Sequence, residues 1–403
     1  MRHEIRLFLL GWLNALLWVG GILGWGWTLA QAQVEGDPKR AIQFLLPTSS
    51  FSLPAEREIN SVVNEYNTGH PNHPVHILRR GEGFSCLRDL MAFQLAGSAP
   101  EIAAIESAEF PAIQQNKLAI RIPESLAAKV RVQGIQNQNP EEKKFSIPFQ
   151  ITVPLLIVNT ESPKGAEFLS HGGIRDWDSF SKRVDESGLR KLLSIPLQGS
   201  RGLWMFEAFA SRPLWKREPG GLQSNRALEK TIRILQQYSD KQEEINWESA
   251  MHDFLDQKAV FLVGSIDLLP QLNTQAPFKW VAYPISPLTL LRGGTRLVVT
   301  RDSPEVWEFM NYLYSPSIAS RWVSAGGFVR LNPSWPILPE LAGAEYSRIV
   351  KTLSPGKERS SDVDVVRARS EWIQALHLLF GEESHRLPIE SVFTQLDSHL
   401  GIR

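Results

Sequence analysis

Between Phe145 and Thr160 the chain reads FSIPFQITVPLLIVNT, two short apolar runs punctuated by Pro148 and Pro154, with Asn159 at the end of the second. Val153 and Leu155 to Val158 are the aliphatic and β-branched residues that suit a buried strand. Proline lacks the amide that a sheet ladder needs, so the stretch is a strand that enters its sheet after a bend. Strand and helix patterns alternate on both sides of it. The stretch therefore reads as the first crossing between two lobes of an α/β protein, with a ligand beside it.

The segment before the crossing begins with a strand at 41–47 and a polar loop at Thr48 to Ser52. A helix follows from Pro54, with Ile59, Val62, Val63 and Tyr66 at i, i+3, i+4 and i+7 on one apolar stripe. A second strand spans 75–78. Gly81 to Phe84 then turns into a helix capped by Ser85, with Leu87, Leu90, Met91 and Leu95 expected inward and Gly97 as its stop. A third strand, 102–105, has Glu106 just past its carboxyl end. Strand–helix alternation of this kind specifies a mostly parallel sheet covered by helices. Ligands bind such sheets beyond the carboxyl ends of the strands, where Ser49, Phe84 and Glu106 fall.

After the crossing, helices are expected at 177–184, at 199–210, around Leu228, Ile232 and Leu235, and at 249–257. Strands are expected at 194–196, at 259–263 before Gly264-Ser265, and at 281–284. Arg292 to Thr300 (RGGTRLVVT) mirrors the opening stretch, glycines leading into a β-branched run, and reads as the return crossing. Ser303 caps the next helix with Pro304 at its first position, another helix at 317–325 stops at Gly326-Gly327, and 328–336 is a third crossing. The remainder to 403 is helical and packs on the second lobe, with 354–362 the expected mobile loop. The resulting division is 33–148 with 292–328 for the N-lobe and 149–291 with 329–403 for the C-lobe.

The 403-residue length suits two such lobes, and 43 basic against 43 acidic residues give no reason to expect nucleic acid. Arg2 and Arg6 precede an uncharged run from Leu7 to Leu29 and then Ala30-Gln31-Ala32, the three parts of a secretory signal. The run is also long enough to stay in a bilayer as an uncleaved anchor. Both readings export the rest of the chain, and removal of residues 1–32 would leave 41 basic and 42 acidic residues. No cysteine near the junction can carry a lipid. The single cysteine, Cys86, reads as a small buried helix residue.

Four pieces carry a resemblance: FQLAGSAPEI from Phe93 to Ile102, the proline-flanked stretch 148–159, Gly293-Gly294, and Ser324-Ala-Gly-Gly-Phe328. With them the chain resembles the extracellular solute-binding proteins of bacterial ABC importers, over most of residues 41–403. That class includes maltose-, oligosaccharide- and glycerol-3-phosphate-binding proteins. The resemblance implies a two-lobed periplasmic-binding-protein fold of the class II type with three inter-lobe crossings, a small-molecule solute, and ABC permease subunits as partners. Within the class the spacing is closest to the glycerol-3-phosphate binders, whose ligand contacts transfer to Phe84, Glu106, Thr152, Ser265, Gly294 and Phe328. Two family tyrosines are phenylalanines here, which removes two hydroxyl donors. The family's phosphate-holding arginine also has no counterpart in Ser360 to Asp364.

A solute cleft needs aromatic platforms and polar groups between lobes that can close. The expected cleft residues are Ser49, Phe84, Glu106, Gln150, Thr152, Trp204, Ser265, Gly294, Thr295 and Phe328, around a sugar, polyol or glycerol-phosphate-like solute. Arg201, Arg292 and Arg296 raise an anionic solute as a variant. His70, His73 and His76 are separated by Pro71 and Pro74, cannot share a helical face, and read as loop residues rather than metal ligands. No G-x-S-x-G, H-E-x-x-H, G-x-x-x-x-G-K or C-x-x-C motif occurs, so neither an enzyme nor a cofactor is expected. Two alternatives stay open: a membrane-anchored sensor or interaction protein on a degenerate solute-binding fold, and a cell-envelope hydrolase.

Overall fold

The computed structural model describes residues 41–47, 52–80, 86–130, 135–136, 140–171, 174, 176–210, 222, 225–239, 247–284, 291–326, 335–336, 338–352, 356–358, 365–381 and 386–400. The chain begins as expected: β1 (Ile42–Pro47), α1 (Leu53–Gly69), β2 (Val75–Arg80), α2 (Cys86–Leu95) and β3 (Ile102–Glu106) alternate. Ile42 to Pro47 run parallel beside Val75 to Arg80, and Phe44 and Leu45 lie beside Ile102 and Ala103. The predicted stripe of α1 is buried. The helix ends where the His70 ring stacks on Tyr66, centroids 4.0 Å apart, with Nδ1 2.9 Å from the Tyr66 carbonyl and Nε2 3.4 Å from Glu308. His70 thus closes a helix, and among the described residues no group of three or more His, Cys, Asp or Glu could hold a metal.

In α2, Cys86, Leu87 and Leu90 are buried but Leu95, expected inward, is 90% exposed. Leu95 lies about 135° round the helix from that stripe, and at the last turn nothing covers it. Gly97, with φ of 69°, stops the helix as expected, and the Ser98 amide donates to the Phe93 carbonyl.

Short helices α3 (Phe110–Gln115), α4 (Glu124–Lys129) and α5 (Pro140–Phe145), with β4 (Ile135–Gln136), lead to the opening stretch. It forms two strands, β5 (Ile147–Thr152) and β6 (Pro154–Asn159), in different sheets. The change of sheet falls at Val153, whose carbonyl accepts from the Ile266 amide at 3.0 Å.

The second sheet is laid down by α6 (Pro163–Ser170), α7 (Trp177–Glu186), β7 (Leu193–Ser194), α8 (Gly199–Ala210), α9 (Arg226–Ser239), α10 (Trp247–Leu255), β8 (Phe261–Ser265), α11 (Leu269–Gln275) and β9 (Trp280–Tyr283). Its strand order is β7-β8-β6-β9. Only β7 and β8 run parallel, and β6 is antiparallel to both of its neighbours. The expectation of a mostly parallel sheet is corrected here. The crossing strand enters from the other lobe and runs against the strands formed by the lobe's own helix connections.

β10 (Leu291–Val299) returns to the first sheet, followed by α12 (Pro304–Leu313) and α13 (Pro316–Gly326), then α14 (Pro339–Thr352), β11 (Gly356–Glu358), α15 (Val365–Phe380) and α16 (Ile389–Leu400). Ser303 caps α12 by accepting from the Val306 amide at 3.3 Å, with Pro304 following. The first sheet runs β2-β1-β3-β10-β11-β4, and β5 also pairs with β10. It is mostly parallel, as expected, with only β10 antiparallel to β3 and β5 among the described strands. Part of the expected mobile loop is a strand: Leu291 and Arg292 of β10 pair with Lys357 and Glu358. The third crossing falls largely outside the described residues, as do residues 1–40.

One apolar cluster joins β1, α1, β5, α12 and α13 to β6, α11 and α14 behind the crossings. A separate cluster holds α7, α8, α9, α15 and α16 with the far side of the second sheet. Of the three C-terminal helices, α15 and α16 therefore pack on the second lobe, whereas α14 spans both units through α11 and α13.

Candidate functional site

Three of the expected residues meet because of strand register. β3 ends at Glu106; in β10, Thr295 pairs with Glu106 on one side and with Gln150 of β5 on the other. Paired residues of adjacent antiparallel strands stand side by side on one face. Glu106, Thr295 and Gln150 therefore form a polar row across three strands at the carboxyl end of β3. Gln150 and Thr295 are 4% and 2% exposed. The Thr295 hydroxyl has no hydrogen-bond partner among the described residues, although a buried hydroxyl ordinarily has one.

The row is continued by the two crossings zipped together, Gly294 beside Ile151 and Gly293 beside Thr152. Gly294 has φ of 141°, outside the range of L side chains, and the ladder slips register between Thr295 and Arg296. Glycine is required here because the bulged backbone of the return crossing bends as it enters the sheet.

Glu106 is also held from below. It caps the short 3₁₀ turn Ser107–Glu109: its carboxylate accepts from the Glu109 amide, while its own amide donates to Glu109 Oε2 at 3.3 Å. Both carboxylates then meet Arg369 of α15. Its Nη2 donates to Glu106 Oε1 and its Nη1 lies 3.4 Å from Glu109 Oε1. Burial works against the Arg369 charge, but the charges of Glu106, Glu109 and Glu207 outweigh it and hold the guanidinium pKa above its usual value. Ala108 and Ala368 pack at the same contact. Arg369 thus brings a buried charge of the second lobe to Glu106 of the polar row.

Sequence reading did not nominate Arg369. The resemblance directed attention to Ser360 to Asp364, outside the described residues, and the arginine lies five positions further on. One signal was present: Arg369, Trp372 and Leu376 stand at i, i+3 and i+7, and all three are buried. A charged residue on the inward stripe of a helix requires a charged partner.

The remaining nominees divide. Trp204 is buried in α8, which packs on α15 and approaches β10; its indole Nε1 has no partner among the described residues. Glu207, one turn on, is a third carboxylate whose charge reaches Arg369, after Glu106 and Glu109. Ser265 closes β8 beside Pro154, but its hydroxyl donates to Asp267 in its own turn. Thr152 is described by its backbone alone, and Ser49, Phe84 and Phe328 lie outside the described residues. Arg296, considered for an anionic solute, is 1% exposed and donates from Nε to Ser146 Oγ at 2.7 Å, a structural role. The side chains of Arg201 and Arg292 are not among those described. Burial, followed by the nearby carboxylates Glu109, Asp89 and Glu106, pushes the Cys86 thiol pKa upward, in keeping with an inert helix residue.

No curated protein sequence matches the chain. Solved structures with the same fold include the maltose/maltodextrin-binding domain of Bdellovibrio bacteriovorus bound to maltotriose, with TM-score 0.69 and 13% identity over 90% of this chain and 98% of that one. The maltotriose-binding protein of Thermus thermophilus gives 0.65 and 12% over 89% and 98%. The GacH receptor of Streptomyces glaucescens, solved unliganded and with acarbose, gives 0.65 and 14% over 90% and 98%. At these identities the likeness establishes the two-lobed fold. Among the described residues no helix is long and apolar enough to cross a membrane. The family model described as bacterial extracellular solute-binding protein matches residues 87–345, and the chain belongs to that family.

Proposed function

We propose that the chain is the exported solute-binding component of an ABC importer, closing two lobes on a sugar or polyol-like solute that it passes to permease subunits. The observation that carries this reading is the row of half-buried Glu106 with buried Thr295 and Gln150, polar groups brought to the edge of both crossings. A carboxylate, a hydroxyl and an amide offer the mixed donors and acceptors that solute hydroxyls need, and Thr295 has capacity to spare. Similarity to proteins solved with maltotriose and acarbose supports an uncharged carbohydrate over a glycerol phosphate. The role is binding rather than catalysis. We draw the lobe boundary at Val153 instead of 148, with the other limits as read from the sequence. Residues 7–29 export the chain as a cleaved signal or hold it at the inner membrane.

Thermal-shift measurements on the exported chain against maltose, maltotriose, glycerol 3-phosphate, putrescine and divalent metals test the solute. A saturating sugar at a hundred times its Kd adds about 2.7 kcal/mol and raises Tm. Stabilisation by putrescine or metal alone refutes the sugar reading. N-terminal sequencing of the exported protein separates the two fates of residues 7–29.

A further inference from the structure

We propose that Arg369 is a closure- and specificity-determining residue of the cleft, latching the lobe that carries α15 to the solute-facing carboxylate of the other lobe and barring anionic solutes. The inference rests on the solute-binding reading above only for the word solute; the latch itself stands on geometry. Arg369 belongs to α15, whose core lies with α8, α9 and α16. Glu106 and Glu109 belong to the end of β3 and the turn after it, in the first sheet's unit. The side chain is 10% exposed and reaches both carboxylates at once, with Glu109 2% exposed behind them.

Two consequences follow from the placement of the guanidinium. An ion pair between lobes contributes to closure whether or not solute is bound, so the free protein keeps a substantial closed population. The forked donors are committed to two carboxylates in a fixed geometry. A phosphate entering at Glu106 meets a carboxylate whose compensating cation is already engaged, and gains neither the fork nor relief from like-charge repulsion. An uncharged solute can bond to Glu106, Thr295 and Gln150 with the pair intact. Arg296, a buried arginine of the first sheet, donates from Nε to Ser146 Oγ.

Small-angle scattering and thermal shift on the full exported chain, with Arg369→Met, Glu106→Gln and the double variant, test the proposal. Removing one partner of this charge pair is expected to shift the open-to-closed ratio about tenfold. Each single variant is expected to show a larger ligand-free radius of gyration than wild type, and the double variant no further increase. If Arg369→Met does not fold, as judged by near-ultraviolet circular dichroism, Glu106→Gln carries the comparison. Wild type is expected to respond to maltotriose and not to glycerol 3-phosphate at equal concentration. Unchanged radii in both single variants, or stabilisation of wild type by glycerol 3-phosphate that Arg369→Met abolishes, overturn the proposal. If no sugar shifts any variant while the radii differ as expected, the sugar reading fails and the latch stands. If sugar binds and the radii do not respond, the latch fails alone.

Discussion

Thr295 stands at the centre of the polar row. Its hydroxyl is buried between Glu106 and Gln150 without a partner among the described residues, and an unsatisfied buried hydroxyl costs roughly 1–3 kcal/mol. Thr295→Val keeps the shape and removes that cost. Chemical denaturation is expected to show stability unchanged or raised by about 1 kcal/mol, while calorimetric affinity for the sugar found by thermal shift falls about tenfold. A variant that binds as tightly as wild type would remove Thr295 from the site. Tyr66 and Tyr312 act on stability instead. Burial, with Glu308 and Glu305 beside Tyr66 and Glu65 beside Tyr312, pushes each phenol up to about 12. Unfolded phenols lose their proton near pH 10, so between pH 10 and 12 the native state holds more protons than the unfolded one. Stability present below pH 10 is therefore lost as the pH rises through that window. Urea midpoints measured across it should fall, and Tyr66→Phe with Tyr312→Phe should flatten the decline.

At the scale of elements, β10 is the joint of the molecule. It pairs with β3 and β5 of the first sheet and carries Gly294 at φ of 141° where the two crossings run together. Gly294→Ala forces a Cβ into that conformation, at a cost of about 1–3 kcal/mol visible in the urea midpoint. Because the strain falls on a crossing, the sugar-dependent change in radius of gyration should shrink as well. A variant with wild-type stability and wild-type closure would show that glycine is dispensable there. The strand is also where sequence reading stopped short. Arg292-Gly-Gly-Thr-Arg was readable as a crossing because glycines lead into a β-branched run. That Thr295 stands between Glu106 and Gln150 is a matter of register across residues far apart in the chain, and no local pattern encodes it. The mixed pairing of the second sheet was hidden for the same reason, since direction depends on which edge the crossing strand joins.

Over the whole molecule, two sets of contacts join the lobes. Behind the crossings an apolar cluster is shared by α11, α13 and α14, and the Arg369 pair joins α15 to the end of β3. Solute binding to the folded state adds to them, and ligand-linked stabilisation should accordingly scale with the logarithm of sugar concentration above Kd. A Tm independent of concentration over two decades would exclude binding to the folded state.

What the sequence determined by itself is what depends on neighbours along the chain. The stripe of Ile59, Val62, Val63 and Tyr66, the Ser303 cap with Pro304, the stop at Gly97 and the crossings themselves all follow from local spacing, propensity and backbone permission. The place of Glu106 at the carboxyl end of β3 was readable too, because strand–helix alternation locates that strand. Tertiary structure decided what depends on groups brought together from afar: the row across β3, β10 and β5, the local use of the Ser265 hydroxyl, the exposure of Leu95, and above all Arg369. Its partners lie 263 and 260 residues away. A buried charge announces that it has a partner, but only the packing of α15 against the turn after β3 says which one.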